Sequence, residues 1–227
     1  MKKYYWFILN KLYLQNHKKL LIKKYLIGIV ALIIISCAPK IFSKKWTTAI
    51  APSNFTVHFE TSKGNFDISI TRNLSPKAAD RFYQLVKHRY FDNQLFYRVN
   101  PGFVAQFGST DSIQYNHWNS IKVPDEKVIQ GNSKGTISFA RGGPRTRTTD
   151  LYINLSDNHR LDTINYNNVK GFPSFGIVIN GMEVVENLYS GYADTTMDTL
   201  DLMYADKNAF IKLFPKLDTI HKVYVKP

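Results

Sequence analysis

Three side chains suited to a polar reaction beside an apolar ring lie within a short run of this sequence. Arg98 carries a guanidinium group that stays charged, Phe103 supplies an aromatic ring and Gln106 supplies an amide that both donates and accepts hydrogen bonds. All three fall within residues 98–106. Their types predict a site that offers charged N–H donors next to an apolar surface.

Two strands joined by a turn must position these residues. Residues 95–99 are apolar, aromatic or β-branched, Pro101 and Gly102 indicate a turn, and residues 103–107 form a second apolar run. Because side chains alternate between the faces of a strand, Phe103 and Gln106 fall on opposite faces unless the turn or a bulge re-aims them. Alternation alone therefore leaves their convergence open.

Residues 96–108 resemble the signature of cyclophilin-type peptidyl-prolyl isomerases, F-H-R-x-x-P-G-F-x-x-Q-x-G, and depart from it only at Tyr97. Later blocks are similar to the family in the same order, at residues 135–146, 151–154 and 175–185. Four blocks in order are far more specific than any one of them. The resemblance runs from about Phe55 to about Tyr189.

This resemblance implies catalysis of X-Pro isomerisation, a reaction with a barrier of roughly 18 to 20 kcal/mol because amide resonance is broken in the twisted state. A hydrogen-bond donor aimed at the nitrogen lone pair that appears on twisting lowers this barrier, and no nucleophile is needed. By resemblance Arg98 is the catalytic donor, Phe103 the floor of the proline pocket and Gln106 the residue that holds Arg98 or the substrate backbone. The implied substrate-binding residues are Val104, Ala140, Arg141, Tyr152, Leu161 and Phe172.

Three departures from the family pattern keep alternatives open. Asp150 stands where the family usually has Gln, Arg160 where an aromatic residue is common, and Phe172 where a His is usual. If the charges of Asp150 and Arg160 displaced Arg98 or closed the groove, the domain would bind peptides as a chaperone or assembly factor without catalysis. A third interpretation, a structural envelope lipoprotein, predicts that nothing depends on Arg98.

The pattern of apolar residues predicts a mainly β fold. Residues 57–59 and 66–70 alternate around a glycine-containing turn, and Ser75 with Pro76 begins a helix that extends to Arg89. Further strands are predicted at residues 136–140, 151–154 and 175–179, a helix at 205–213 and a closing strand at 220–225. Together with the resemblance, these elements predict a closed, antiparallel, eight-stranded β-barrel capped by helices.

The positive charge of the chain is concentrated near its start. Residues 1–50 hold ten Lys and no Asp, Glu or Arg, whereas the remainder has 20 basic against 17 acidic residues, so most of the net +13 belongs to the leader. A Lys-rich segment before the short apolar run 25–35 is typical of a secretory signal and makes nucleic-acid binding improbable. The six His show no metal-binding spacing, and neither metal nor cofactor is predicted.

Cys37, the only cysteine, follows that apolar run and a serine, which resembles the lipobox of bacterial lipoproteins. The predicted organisation is a signal peptide at 1–36, a lipidated tether without a fold of its own at 37–54, an isomerase domain at 55–191 and an extension with a helix and the closing strand at 192–227. The predicted protein is a monomer, anchored by lipid on Cys37 in the cell envelope, on the periplasmic side or at the outer membrane. Its predicted partners are proline-containing polypeptides and the membrane.

Overall fold

The computed structural model describes Lys23, residues 42–110 and residues 112–227. Apart from Lys23, the predicted signal peptide lies outside the described residues, as does Cys37. Among the described residues, no helix is both long and apolar enough to cross a membrane.

The strands of the described residues are β1 Asn54–Thr61, β2 Gly64–Thr71, β3 Gln94–Val99, β4 Val104–Phe107, β5 Thr136–Phe139, β6 Leu151–Asn154, β7 Asn165–Tyr166, β8 Val169–Lys170, β9 Ser174–Asn180 and β10 Thr219–Val225. Eight of them close into an antiparallel barrel, in the order β1-β10-β3-β4-β6-β5-β9-β2. The final strand, β10, pairs with both β1 and β3 and so completes the barrel. Two further short strands, β7 and β8, form a separate hairpin. The predicted barrel is confirmed.

Aromatic rings fill the barrel because alternate residues of each strand point inward. Phe59 stacks on Phe66 at 4.6 Å between centroids and meets the edge of Phe107 at 5.7 Å. From the first helix, Phe82 reaches into the same cluster and contacts Phe175 at 5.7 Å. These rings are buried and form the hydrophobic core inside the barrel.

Helices surround the barrel. They are α1 Pro76–Lys87, α2 Ser112–Asn119, α3 Arg160–Thr163, α4 Met182–Glu186, α5 Leu200–Ala205 and α6 Lys207–Leu213, with 3-10 turns at Lys44–Thr48, Arg72–Leu74 and Thr195–Thr199. The structure divides the predicted helix at 205–213, since α6 starts afresh at Asp206, whose carboxylate accepts a hydrogen bond from the Ala209 amide at 3.0 Å.

The start of α1 is capped by a residue that is distant in the sequence, which the local sequence does not predict. Ser75 occupies the predicted N-cap position, yet its side chain makes no capping bond. The carboxylate of Glu126 instead accepts hydrogen bonds from the backbone amides of Lys77 and Ala78 at 2.8 and 3.2 Å. A distant acidic residue therefore satisfies the free amides and favours the positive end of the helix.

The prediction that the tether at residues 37–54 has no fold of its own is wrong for residues 42–54. Trp46 stacks on His88 at 4.0 Å, and Phe42 meets the edge of Trp118 at 5.1 Å. The side-chain amide of Gln84 donates to the carbonyl oxygen of Ala49 at 2.7 Å. Two large aromatic rings and this partly buried hydrogen bond offset the entropy of ordering the segment.

Candidate active site

The outer face of the barrel carries a row of polar side chains across three neighbouring strands. Arg98 of β3 lies opposite Gln106 of β4, and Gln106 lies opposite Tyr152 of β6. Their neighbours Ala105 and Phe107 point into the core. The register of β3 shifts between Phe96 and Arg98, which is a bulge that sequence alternation does not reveal.

Two side chains hold the guanidinium of Arg98. Its Nη1 donates to Oε1 of Gln106 at 3.1 Å, and its Nε donates to Oδ1 of Asp194 at 2.7 Å. The Cζ atom lies 5.4 Å from the centroid of the Phe103 ring. The cation therefore lies over the ring, as the sequence predicts, and gains a second partner that the sequence does not reveal.

A tight turn brings Phe103 to the same place. Gly102 adopts a left-handed φ of 76°, and the backbone amide of Asn100 donates to the carbonyl oxygen of Val104 at 2.9 Å. Phe103 precedes β4 and does not belong to it. The turn thus frees Phe103 from strand alternation and removes the ambiguity left by the sequence.

Apolar side chains enclose a hollow beside Phe103. Val104, Tyr152, Leu161 and Phe172 are buried in one cluster, and three partly buried side chains, those of Phe103, Ala140 and Ile164, pack against it. Phe172, which stands in place of a usual His, lies in this wall and forms a T-shaped pair with Tyr152, with 6.3 Å between the ring centroids. The hollow is therefore lined by apolar side chains, as sites for small ligands usually are.

A buried polar network supports the wall from behind. The Oδ1 atom of Asn132 accepts a hydrogen bond from the hydroxyl of Tyr152 at 2.9 Å. Its Nδ2 donates to the carbonyl oxygen of Phe172 and to Oδ1 of Asp162, each at 2.8 Å. Asn132 is fully buried, so it ties three parts of the wall together through one amide.

Two further arginines flank the hollow. The guanidinium of Arg141 donates to the carbonyl oxygens of Gly171 and Val169, each at 2.7 Å, and its Cζ lies 4.0 Å from the centroid of Phe172. The Cζ of Arg160 lies 5.0 Å from the centroid of Phe103. Arg141 therefore braces the loop beside the groove, and Arg160 covers the same ring as Arg98.

One cavity of about 690 Å³ contains the hollow. The structure brings to its wall all the residues predicted for catalysis and substrate binding: Arg98, Phe103, Val104, Gln106, Ala140, Arg141, Tyr152, Leu161 and Phe172. Within the described part of the chain, no group of three or more His, Cys, Asp or Glu side chains could hold a metal ion.

Comparison with known proteins gives the family. The model of the family described as cyclophilin type peptidyl-prolyl cis-trans isomerase/CLD matches residues 56–204. The chain belongs to this family. A peptidyl-prolyl cis-trans isomerase of Acinetobacter baylyi is 30% identical over 62% of this chain and 75% of its own length. Peptidyl-prolyl cis-trans isomerase A of Dickeya dadantii is 30% identical over 61% of this chain and 73% of its own length.

Solved structures agree on the fold. A cyclophilin type peptidyl-prolyl cis-trans isomerase of Cryptosporidium parvum superposes with a TM-score of 0.55 and 20% identity, over 77% of this chain and 98% of that one. A second structure of it, in the presence of the dipeptide Ala-Pro, gives the same TM-score. The predicted family and enzyme class are confirmed, and this cyclophilin is a peptidyl-prolyl cis-trans isomerase.

Sequence reasoning missed the part of the cavity wall that follows α4. Met197, Leu200 and Tyr204 line the cavity of this cyclophilin, and Asp194 binds Arg98. None of them belongs to a family block identified above. The length of the connection could have indicated this packing, because about thirty residues separate α4 from the closing strand. Such a segment must pack somewhere on the barrel.

Asp150 lines the same cavity, but its hydrogen bonds go to hydroxyl groups and leave Arg98 in place. Its Oδ1 accepts hydrogen bonds from the hydroxyls of Tyr97 at 3.0 Å and Ser109 at 2.5 Å. Burial raises the pKa of the Asp150 carboxyl above its ordinary 3.8, and the two hydroxyls only partly oppose this rise. The folded protein therefore binds this proton more tightly than the unfolded chain does.

The raised pKa predicts a pH-dependent effect of Asp150→Asn. The contribution of Asp150 to the free energy of unfolding is complete below pH 3.8 and is lost as the pH rises through the raised pKa. We expect the variant to melt a few degrees above the wild type at pH 8, with the difference shrinking towards pH 4. Thermal unfolding across this range, with the exposed Asp201→Asn as control, measures it. A variant that melts below the wild type at pH 8 would contradict the prediction.

Proposed function

We propose that this cyclophilin isomerises X-Pro bonds by seating the proline ring on Phe103 while Arg98 donates a hydrogen bond to the twisting imide nitrogen. The observation that carries the proposal is the guanidinium held over the Phe103 ring, with Cζ 5.4 Å from its centroid. Val104, Leu161 and Phe172 supply the apolar wall around the pyrrolidine.

The physical basis is a difference between planar and twisted states. As the imide twists, its nitrogen becomes pyramidal and its lone pair becomes localised, whereas in both planar isomers this pair is delocalised into the carbonyl group. A charged donor fixed in place stabilises the twisted state without comparable binding of the ground states. Gln106 holds the donor from one side at 3.1 Å, so Arg98 needs little reorganisation when the bond rotates.

Proline-containing polypeptides are the proposed substrates. The Cryptosporidium parvum protein was crystallised in the presence of Ala-Pro, which supports a site of dipeptide size in the shared fold. In this chain the groove beside the hollow continues past Ala140 and Arg141, which line the same cavity. The peptide bonds on either side of the proline would lie along these residues.

The alternative of a non-catalytic peptide-binding module rested on Asp150 and Arg160. The hydroxyls of Tyr97 and Ser109 satisfy Asp150, and Arg160 lies over Phe103 without a contact to Arg98 among the described interactions. Neither charge therefore displaces Arg98, which favours the enzyme. Exchange NMR or a protease-coupled assay on a proline peptide separates the two, since a binding module would retain the peptide without accelerating its isomerisation.

We further propose that the protein is a lipoprotein, acylated at Cys37, whose domain faces the outside of the cytoplasm and acts on exported proteins. The Lys-rich leader, the short apolar run and the cysteine that follows it support this proposal. A single free cysteine is often a small buried hydrophobe, but one that ends a signal-like segment suits acylation.

Substitution Cys37→Ser is expected to release the protein from the membrane. In bacterial cells, most of the wild-type chain should sediment with membranes and carry the added mass of acyl chains, whereas the variant should keep an unmodified mass and lose membrane association. Fractionation with intact-mass spectrometry measures both. Identical fractionation and identical unmodified mass for the two proteins would contradict lipidation.

A further inference from the structure

The segment between α4 and β10 is packed firmly on the outside of the barrel. Met203, Phe210 and Phe214 form a buried cluster with Leu95 and Tyr97 of β3. The phenyl rings of Phe210 and Phe214 lie 4.9 Å apart between centroids. Strand β3 also carries Arg98, so the segment is anchored on the strand that bears the proposed catalytic residue.

The backbone of this segment joins β3 directly beside Arg98. Ala193 forms a β-bridge with Val99, and it does so with a φ of 45°, a left-handed conformation that is uncommon for residues other than glycine. The backbone amide of Ala193 also donates to the carbonyl oxygen of Ser190 at 3.0 Å. These bonds fix the position of the next residue, Asp194.

The side chain of Asp194 binds Arg98, although the residue occupies a position where an aspartate usually caps a helical turn. Asp194 is the N-cap residue of the 3-10 turn Thr195–Thr199, where an aspartate usually accepts bonds from the free backbone amides, yet its side chain makes no capping bond. Oδ1 accepts from Nε of Arg98 at 2.7 Å, and Oδ2 accepts from Nδ2 of Asn100 at 3.1 Å.

Arg98 is consequently held at two points. Gln106 binds Nη1 and Asp194 binds Nε, so the plane of the guanidinium is fixed on two sides. Neither bond involves Nη2, and together they use two of the five N–H groups of an arginine. The remaining donors suit a substrate imide and a neighbouring carbonyl group.

We propose that Asp194 is a positioning residue that pre-orients Arg98 for isomerisation, a role that rests on the proposed function of Arg98. Arg98 also lowers the pKa of the Asp194 carboxyl, so the pair stays ionised at neutral pH. The Asp194 side chain is 56% exposed and that of Arg98 is 20% exposed. Such a pair contributes little to folding stability, and its effect lies in orientation.

Asp194→Ala is expected to lower kcat about threefold to tenfold, which corresponds to the cost of immobilising one flexible side chain, and to leave KM nearly unchanged. Asp194→Asn keeps an acceptor without the charge, so its kcat should lie between those of the wild type and the alanine variant. Line-shape NMR on a proline peptide with the full chain gives kcat and KM separately. The matched control is Asp198→Asn, on an exposed residue of the same segment that does not line the cavity.

Two readouts distinguish positioning from a merely structural role. The ¹H–¹⁵N signal of Arg98 Nε should lose its protection from solvent exchange in Asp194→Ala. Added salt should lower kcat of the wild type more than that of Asp194→Ala, because an exposed ion pair is screened. Melting temperatures of all variants should agree with the wild type.

Several outcomes would overturn the proposal. An unchanged or higher kcat in Asp194→Ala would mean that the carboxylate does not position Arg98 or that it restrains it. An equal loss in Asp198→Asn would assign the effect to the segment as a whole. Failure of the proposed function is distinguishable, because Arg98→Ala would then retain full activity, while in the wild type the NMR signal of Arg98 Nε would still report the pairing with Asp194.

Discussion

Replacement of Arg98 by alanine is expected to lower kcat/KM for X-Pro isomerisation by about 100-fold to 1,000-fold, the rate equivalent of removing one pre-organised donor to a transition state. The reason is that, in the proposed mechanism, Arg98 is the charged donor to the twisting imide, and its Cζ is held 5.4 Å from the centroid of the Phe103 ring. A protease-coupled or exchange NMR assay on a proline peptide measures the loss.

The controls for this variant test charge and shape separately. Arg98→Lys keeps the positive charge but lacks the planar fork that Gln106 and Asp194 hold, so most of the loss should remain. Lys212→Ala removes an exposed cation outside the cavity wall and should retain full activity. Equal rates for the wild type and Arg98→Ala would reject the mechanism.

Asn132→Ala is expected to lower the free energy of unfolding by about 2 to 4 kcal/mol, because the change leaves several buried polar groups without partners. Asn132 is fully buried and accepts from Tyr152, while it donates to Asp162 and to the backbone of Phe172. The variant should also raise KM, since the wall of the hollow loses its support. Urea unfolding and peptide titration measure the two effects.

Asn65→Ala provides the comparison, since Asn65 is exposed on β2 and its truncation should change the free energy of unfolding by less than about 0.5 kcal/mol. If Asn132→Ala were no more destabilising than Asn65→Ala, the polar network would not support the wall. An unchanged KM together with a large loss of stability would restrict the role of Asn132 to the fold.

Local sequence patterns predicted individual strands, while the family resemblance implied the closed barrel and the residues of the candidate site. The alternation that identifies β1 and β2 survives in the structure because each inward residue meets the aromatic core. The site residues around Arg98 and Phe103 follow from a motif in which spacing and residue type are both fixed. A tight turn and a bulge, each set by a few neighbouring residues, bring them together.

Features that depend on distant partners could not be predicted. Glu126 caps α1 from about fifty residues away, and Asp194 reaches Arg98 from a segment without a family motif. Residues 42–54 pack on the barrel because Phe42 and Trp46 find aromatic partners that composition alone does not reveal. In each case the sequence contains the residue type, but only the fold provides its partner.

In the proposed mechanism Arg98 stabilises the twisted imide more than it binds either planar isomer. The most direct test measures on-enzyme interconversion rates and isomer dissociation constants by NMR line shapes, for the wild type and Arg98→Ala with one proline peptide. We predict that both interconversion rates fall by the same factor, about 100-fold or more, while the two dissociation constants change by less than about threefold. Unchanged interconversion rates with weakened binding of both isomers would contradict the account.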